Sequence, residues 1–499
     1  MPSHLGRGVG WGTVEEQITP ADLTDPTDIA PETAEVVRTE SHDPAVPDAY
    51  AAFMRTGWDE RERDVALHPI ASYAADRRAR LAAMFPGERL VLPAGTYKVR
   101  ANDTDYRFRP DTAHTYFSGN QTTDAVLVIE ADGSAVLYAR PRSGRDSDEF
   151  FRDRQYGTLW AGERPSLGEL EASLGVATRH VSELGSVLTR PGKTRVHRGV
   201  SADVDALVAA DDGRDSELAR VISEMRLIKD EWELGELTEA VDATVLGFED
   251  SVREWGQVLR YGERWLEGTF FRRARAMGND IGYDSIVASG SHATTLHWID
   301  NTGPVRPGEL ILCDMGVENR NLYTADVTRT MPVSGTFTPL QRDLHTLVYD
   351  AQEASIAALA PGKPFLAGHD AAMVVLAHGL ADLDLLPVSV DEALDPSSKV
   401  YARWTLHGVS HMLGMDVHDC GQAAPESYRD GILAENMVLT VEPGLYFQAD
   451  DLLVPEELRG IGIRIEDDVV VTADGVRNLS AALPRDAAGV EEWMGRLRG

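Results

Sequence analysis

A chain of 499 residues with 43% hydrophobic and 26% charged side chains has the composition of a soluble globular protein, and its length points to roughly two to four domains. The formal net charge of −33, from 48 basic and 81 acidic residues, repels polyphosphate backbones and argues against a nucleic-acid partner. No run of about twenty apolar residues marks a membrane span, the N-terminus lacks the apolar core of a secretory signal, and Cys313 and Cys420 are the only cysteines, so a cytoplasmic location without disulfides is expected.

In chain order, residues 1–50 carry Pro20, Pro26, Pro31, Pro44 and Pro47 among Asp, Glu and Thr without a sustained apolar period, and read as a mobile acidic tail. An N-terminal α/β domain is expected over 51–210. Within it 73–85 reads as a helix stopped by Pro86-Gly87, 89–95 as a strand and turn, and 115–119 likewise. Residues 125–130 and 135–138 flank Ala131-Asp132-Gly133-Ser134 and read as a hairpin, and 166–175 reads as a helix. The Arg-Phe-Arg-Pro stretch 107–110 reads as surface and turn, and no catalytic constellation is visible here. Residues 216–255 read as one long helical region capped by Ser216, opening a second domain over 216–485. There 282–290, 295–298 and 309–316 read as strands, Pro339 to about 360 and about 368 to 380 as helices, and 436–444 and 462–471 as further strands. Residues 486–499 are expected to form a C-terminal helical tail.

The chemistry concentrates in the second domain. Residues 404–419 gather His407, His411, His418, Asp416 and Asp419 among small and apolar neighbours, a composition suited to a buried site. Four carboxylates elsewhere each interrupt a β-rich or apolar run: Asp314 in Leu-Cys-Asp-Met-Gly, Asp326 in Thr-Ala-Asp-Val-Thr-Arg-Thr, Glu442 in Thr-Val-Glu-Pro-Gly and Glu466 in Ile-Arg-Ile-Glu-Asp-Asp. An unpaired charge there is costly, and a metal ion removes the cost. Asp314 and Asp326 are equidistant from Arg320, so a regular hairpin would set them opposite each other on one face. With Glu442, Glu466 and His411 they offer four carboxylates and one imidazole, too many donors for a single tetrahedral ion and without the thiolates of a structural zinc site. Such a donor set favours Mn²⁺ and admits Co²⁺, Fe²⁺ or Zn²⁺. Two ions bridged by a hydroxide would make it a nucleophile near neutral pH, and peptide hydrolysis follows. His407 and His411 have the four-residue spacing of a zincin helix, but position 408 is Gly rather than Glu, which removes that mechanism. His407, His418 and His297 are expected instead to stabilise an oxyanion, orient a ligand or pass a proton. Arg464, two before Glu466, is expected on the same strand face.

These motifs, with His-Gly-Val-Ser-His-Met-Leu-Gly, Val-His-Asp, Leu-Thr-Val-Glu-Pro-Gly-Leu-Tyr and Gly-Ile-Gly-Ile-Arg-Ile-Glu-Asp-Asp, resemble those of the pita-bread metallopeptidases, and more closely the aminopeptidase P (Xaa-Pro aminopeptidase) branch. The resemblance extends over about residues 60–485, the stretch from Thr115 to Leu137 resembling that branch's N-terminal domain. It implies an α/β (α+β) fold with an N-terminal α/β domain and a C-terminal pita-bread catalytic domain. It also implies removal of the residue preceding proline from peptides, two divalent ions, usually Mn²⁺, and a homodimer or homotetramer. By the same resemblance Asp314, Asp326, His411, Glu442 and Glu466 are metal ligands, and Glu442 is also an acid/base partner. His297, His407 and His418 are substrate-side or proton-shuttling, and Tyr446 and Arg464 are supporting residues at the substrate. The twelve-residue spacing from Asp314 to Asp326 is one longer than usual for the family, so the hairpin must absorb a residue by a bulge or a longer tip. A prolidase restricted to dipeptides shares these features. A methionine aminopeptidase resembles the second domain alone, and an inactive or creatinase-like relative would be expected to have lost ligands.

Overall fold

The structure, a computed structural model, describes residues 44–59 and 61–498. The expected tail therefore lies outside the described residues up to position 43, and a helix, Asp48–Met54, already begins at its end.

The chain divides into two compact units. The first comprises the described residues up to 61 with 142–164. Its short helices Asp48–Met54, Glu149–Arg152 and Thr158–Ala161 gather around aromatic rings. Tyr50 meets Phe151 edge-on at 5.9 Å and Trp58 meets Phe150 at 5.6 Å.

The second unit, residues 62–141 and 165 onward, contains every sequence-predicted site residue. Its N-terminal part is a five-stranded sheet in the order Ala177–His180, Ala135–Ala139, Val126–Ile129, Arg89–Pro93, Thr194–Val196. The two inner pairings are antiparallel and the two outer ones parallel. Alternation along the strands sends Leu90, Leu92, Leu127 and Ile129 into one apolar cluster with Leu81 and Phe117, and Val91, Val126 and Val128 into another with Leu184 and Val187. Both faces are thus covered, which explains why these strands read as continuous apolar runs.

Two corrections fall here. The stretch 115–119 is not a strand but the end of helix Thr112–Ser118, started by the Asp111 carboxylate, which accepts from the His114 N–H, and stopped by Gly119 at φ 72. All seven of its residues are buried, so no apolar period betrays the helix. The expected long helix from 216 is two: Asp212–Arg226, capped by Asp211 rather than Ser216, and Glu231–Arg253, opened by a capping box between Asp230 and Glu233.

The C-terminal part is built on antiparallel ladders. One sheet runs in the order Val327–Pro332, Leu310–Met315, Ile286–Ser289, and a second in the order Val438–Val441, Asp467–Thr472, Gly475–Asn478. Strand Gly444–Phe447 pairs with Ile461–Arg464 in the same register that pairs Val438–Val441 with Asp467–Thr472, so Glu442 and Glu466 face each other at the gap in one interrupted ladder. Helices Pro339–Ala358 and Ala367–Asp382 pack on each other and send Val348, Leu376 and Leu380 into a core shared with Ile311, Leu439 and Val471. Residues 295–298 form no strand: a 3-10 turn, Gly290–Thr294, leads into a turn that carries His297. Helix Ala487–Arg498 buries Val490, Trp493 and Met494 in the same core. No described helix is long and apolar enough to cross a membrane.

Candidate metal centre

The first two carboxylates come from the hairpin of Leu310–Met315 and Val327–Pro332. Its register pairs Asp314 with Thr328 and Met315 with Val327, and continues unbroken through the Glu318–Thr324 bridge to the tip. Asp326 therefore faces Gly316, and the turn centres on Asn321 rather than Arg320. The two aspartates are diagonal neighbours instead of direct partners, but the side-chain period of two keeps them on one face. No bulge interrupts the ladder. The tip takes up the length, with Asn319 Oδ1 accepting from the N–H groups of Asn321 and Tyr323 and buried Leu322 held at φ 69.

Glu442 and Glu466 come from the interrupted ladder, and Thr328 joins it to the hairpin. Its hydroxyl donates to Glu466 Oε2 at 2.6 Å and its carbonyl accepts from the Glu466 N–H at 3.1 Å. His411 enters from the histidine stretch, its N–H donating to Thr440 Oγ1 at 3.1 Å. Its Nε2 lies 3.3 Å from Asp326 Oδ2 and 3.6 Å from Glu442 Oε1. Asp326, His411 and Glu466 each present a donor atom within 4.8 Å of the others. Asp314 joins through Tyr283. The Tyr283 hydroxyl lies 2.7 Å from Asp314 Oδ1 and 2.6 Å from Asp326 Oδ1. Having one proton, it donates to one carboxylate at a time.

Three buried carboxylates and the partly buried Glu442 meet one fixed cation here, Arg464, which donates to Asp314 Oδ2. Burial pushes Glu442 up to about 7 against the pull of His411 and Arg464. Burial and the neighbouring carboxylates push Glu466 well above the usual range, and burial raises Asp314 despite Arg464. On His411 burial opposes charge, but the Asp326 hydrogen bond and the Glu442 field outweigh it and raise the imidazole to about 9. For Asp326 the His411 contact likewise overcomes burial and lowers the carboxyl. An excess of buried anionic oxygen around one imidazole is the environment that divalent cations stabilise, so the donor set fits such ions.

A cavity of about 510 Å³ opens over these groups. Asp314, Asp326, His411, Glu442, Glu466, His297, His407, His418 and Arg464 all line it, with Ile286, Leu296, Ile299 and Val417 as an apolar wall. Tyr446 does not line the cavity but sits behind it. Arg464 Nη1 donates to the Tyr446 hydroxyl at 3.0 Å, which is 2.8 Å from His407 Nε2. Burial and the Arg464 charge lower His407 to about 4, so its ring is neutral. With Nδ1 donating to the Gly408 carbonyl at 2.8 Å, Nε2 is left to accept from Tyr446. His418 meets His411 edge to face, centroids 4.5 Å apart, and burial together with the His411 charge lowers it. His297 reaches the cavity from its turn.

Three contributors escape the sequence reading. Tyr283 shows only as part of a β-rich run, Thr328 as one hydroxyl among several, and Asp468 as the last acid of an acidic triplet. Asp468 Oδ2 accepts from the Asp326 N–H at 3.0 Å and so fixes the Asp326 backbone. Each acts through a partner more than forty positions away, which no local pattern announces.

The chain matches Metallopeptidase family M24 over residues 236–473 and the Aminopeptidase P, N-terminal domain over residues 74–197. It is 52% identical over 496 residues to Xaa-Pro aminopeptidase 1 of Streptomyces coelicolor, covering 97% of this chain and 100% of the relative. Identity to the Xaa-Pro aminopeptidase of Escherichia coli is 32% over 440 residues, covering 84% and 96%. Among solved structures, E. coli aminopeptidase P with the inhibitor Pro-Leu superposes with a TM-score of 0.75 at 30% identity, covering 85% of this chain and 98% of that one. Pseudomonas aeruginosa aminopeptidase PepP gives a TM-score of 0.76 at 28% identity, covering 87% and 99%.

Proposed function

The chain belongs to metallopeptidase family M24, and from that membership we infer that it is a metal-dependent aminopeptidase that hydrolyses the bond between an N-terminal residue and a following proline. The observation that carries this reading is the convergence of Asp314, Asp326, His411, Glu442 and Glu466 on one cavity. These five residues would hold two divalent ions, Mn²⁺ on this oxygen-rich set, with Co²⁺, Fe²⁺ or Zn²⁺ as alternatives. Such ions supply a nucleophile from water near neutral pH and polarise the carbonyl under attack.

The remaining chemistry belongs to the chain's own groups. Glu442, with Oε2 3.5 Å from His407 Nδ1, takes the proton released by the attacking water. The leaving proline nitrogen must be protonated before it departs, and His418 and His297 on the cavity wall carry a proton to it. His407 is neutral, and its ring is fixed at the cavity wall on the substrate side by Gly408 and Tyr446. Arg464 holds Asp314 in place and, through Tyr446, His407 as well. The apolar wall of Leu296, Ile299, Ile286 and Val417 suits a proline ring.

The substrates are peptides with proline second. A homodimer or homotetramer follows from the family resemblance, and a cytoplasmic location agrees with two buried, unbridged cysteines. The test is turnover of an Xaa-Pro-Yaa tripeptide and an Xaa-Pro dipeptide after chelation and after Mn²⁺ restoration. Chelation is expected to abolish turnover and Mn²⁺ to restore it, with the tripeptide preferred. Preference for the dipeptide would make the enzyme a prolidase, and full turnover after chelation would remove the metal mechanism.

A further inference from the structure

The loop between His411 and His418 closes on itself. The Asp419 N–H donates to the Met412 carbonyl at 2.9 Å, and the Gly414 N–H to the Asp416 carbonyl at 3.2 Å. This closure is what brings the two imidazoles together. The loop is held by charge from behind. Buried Asp419 accepts from Lys229 Nζ at 2.8 Å and from the Arg226 guanidinium, and Lys229, itself buried, also donates to the Arg226 carbonyl at 2.6 Å. Asp416 accepts from Arg226 at 2.8 Å, from the Thr112 hydroxyl at 2.6 Å and from Arg109 at 3.2 Å. Arg109 further donates to the Met415 carbonyl at 2.7 Å and to Glu318 at 2.5 Å. The acids on both sides of His418 are thus gripped from the helix Asp212–Arg226, from the link after it and from the N-terminal sheet part.

Two backbone features mark how tightly the loop is drawn in. A Cβ on Gly414 would stand 2.0 Å from Asp419 Oδ2, and Cys420, directly after Asp419, is held at φ 60. Apart from its edge-on contact with His411, the His418 ring is exposed. The residue borders the catalytic cavity and also a second cavity of about 640 Å³, lined by Arg109, Arg226 and Asp416 among others. A ring with open space on two sides takes its position from its backbone and from that one contact, and the backbone is held by the ion pairs.

We propose that Arg109, Arg226 and Lys229 are positioning residues for the peptidase reaction, acting through Asp416 and Asp419 to hold His418 at the cavity wall. The proposal rests on the proton-transfer reading of His418. The N-terminal part thereby contributes to catalysis without touching substrate.

The test is a double-mutant cycle on the Mn²⁺-loaded enzyme with an Xaa-Pro-Yaa tripeptide. Arg109→Gln and Asp416→Asn are made in the wild-type and in the His418→Ala background, with kcat, KM and bound metal measured for each. Alone, each is expected to lower kcat roughly 10-fold or more, with KM within about twofold and metal content unchanged. In the His418→Ala background the further loss is expected to vanish, because the group being positioned is gone. Losses that multiply in the two backgrounds, or single variants with wild-type kcat, would overturn the proposal. Wild-type kcat in His418→Ala alone would show that the proton-transfer reading had failed first. Asp416→Asn keeps the shape of a partly exposed side chain, so it decides the matter if Arg109→Gln does not fold.

Discussion

His345 lies against Phe337, ring centroids 4.7 Å apart, and burial reinforced by the Arg329 charge lowers it to about 4. In the unfolded chain an imidazole titrates near 6.5. Between those values the unfolded chain binds the extra proton, so the neutral ring's contribution is fully present above about pH 6.5 and is lost as the pH falls toward 4. The unfolding free energy from urea titrations is expected to drop by up to about 3 kcal/mol more across that window in the wild type than in His345→Asn. Parallel curves would mean that the imidazole is charged in the fold. At this scale the site was legible where chemistry is spelled in the residue type. A carboxylate inside a β-rich run, or a histidine among small apolar neighbours, needs a compensating partner wherever it folds. Tyr283, Thr328 and Asp468 were not legible, because a hydroxyl or a third acid acquires its role only from what the fold sets beside it.

Among the elements, the hairpin carrying Asp314 and Asp326 depends on Gly316, which faces Asp326 across the ladder. A Cβ at Gly316 would lie 1.7 Å from the Ala325 carbonyl oxygen, a backbone atom that cannot swing aside. Gly316→Ala is therefore expected to cost at least about 2 kcal/mol and to lower bound metal, because relief of the clash splays the strands that hold both aspartates. Wild-type metal content and an unchanged unfolding midpoint would show that the ladder absorbs the methyl group. Strand faces were legible along this hairpin because one-residue alternation survives any small register shift. The register itself was not: symmetry about Arg320 predicted direct opposition, and the five-residue tip with Leu322 at positive φ moved the centre by one residue. Residues 115–119 and 295–298 misled for a related reason. Their apolar and β-branched composition suggests strand, but Asp111 and Gly119 define a helix in the first case and a 3-10 turn precedes the second.

For the whole molecule, the last helix is part of the catalytic core. Trp493 and Met494 join the cluster that contains Leu439 and Val471, and Glu491 accepts from the Phe337 N–H at 2.7 Å. Trp493→Ala is expected to lower stability by about 3–5 kcal/mol in urea unfolding, the range for emptying a buried aromatic site, with a loss near zero showing a loosely attached tail. Arg77 makes a comparable tie in the second unit, joining helix Ile70–Met84 to Asp230 and Glu233 at the start of the long helix. What the sequence determined by itself was most of the elements, their apolar faces and the five side chains that the fold gathers at one cavity, because periodicity and the cost of burying a charge are local properties of the chain. Only the tertiary structure decided the hairpin register, the placing of Glu442 opposite Glu466, and the ionic grip of Arg109, Arg226 and Lys229 on the histidine loop. The first two depend on how the tip and the interrupted ladder close, and the third on contacts between residues up to 307 positions apart; all are set when elements pack together and not before.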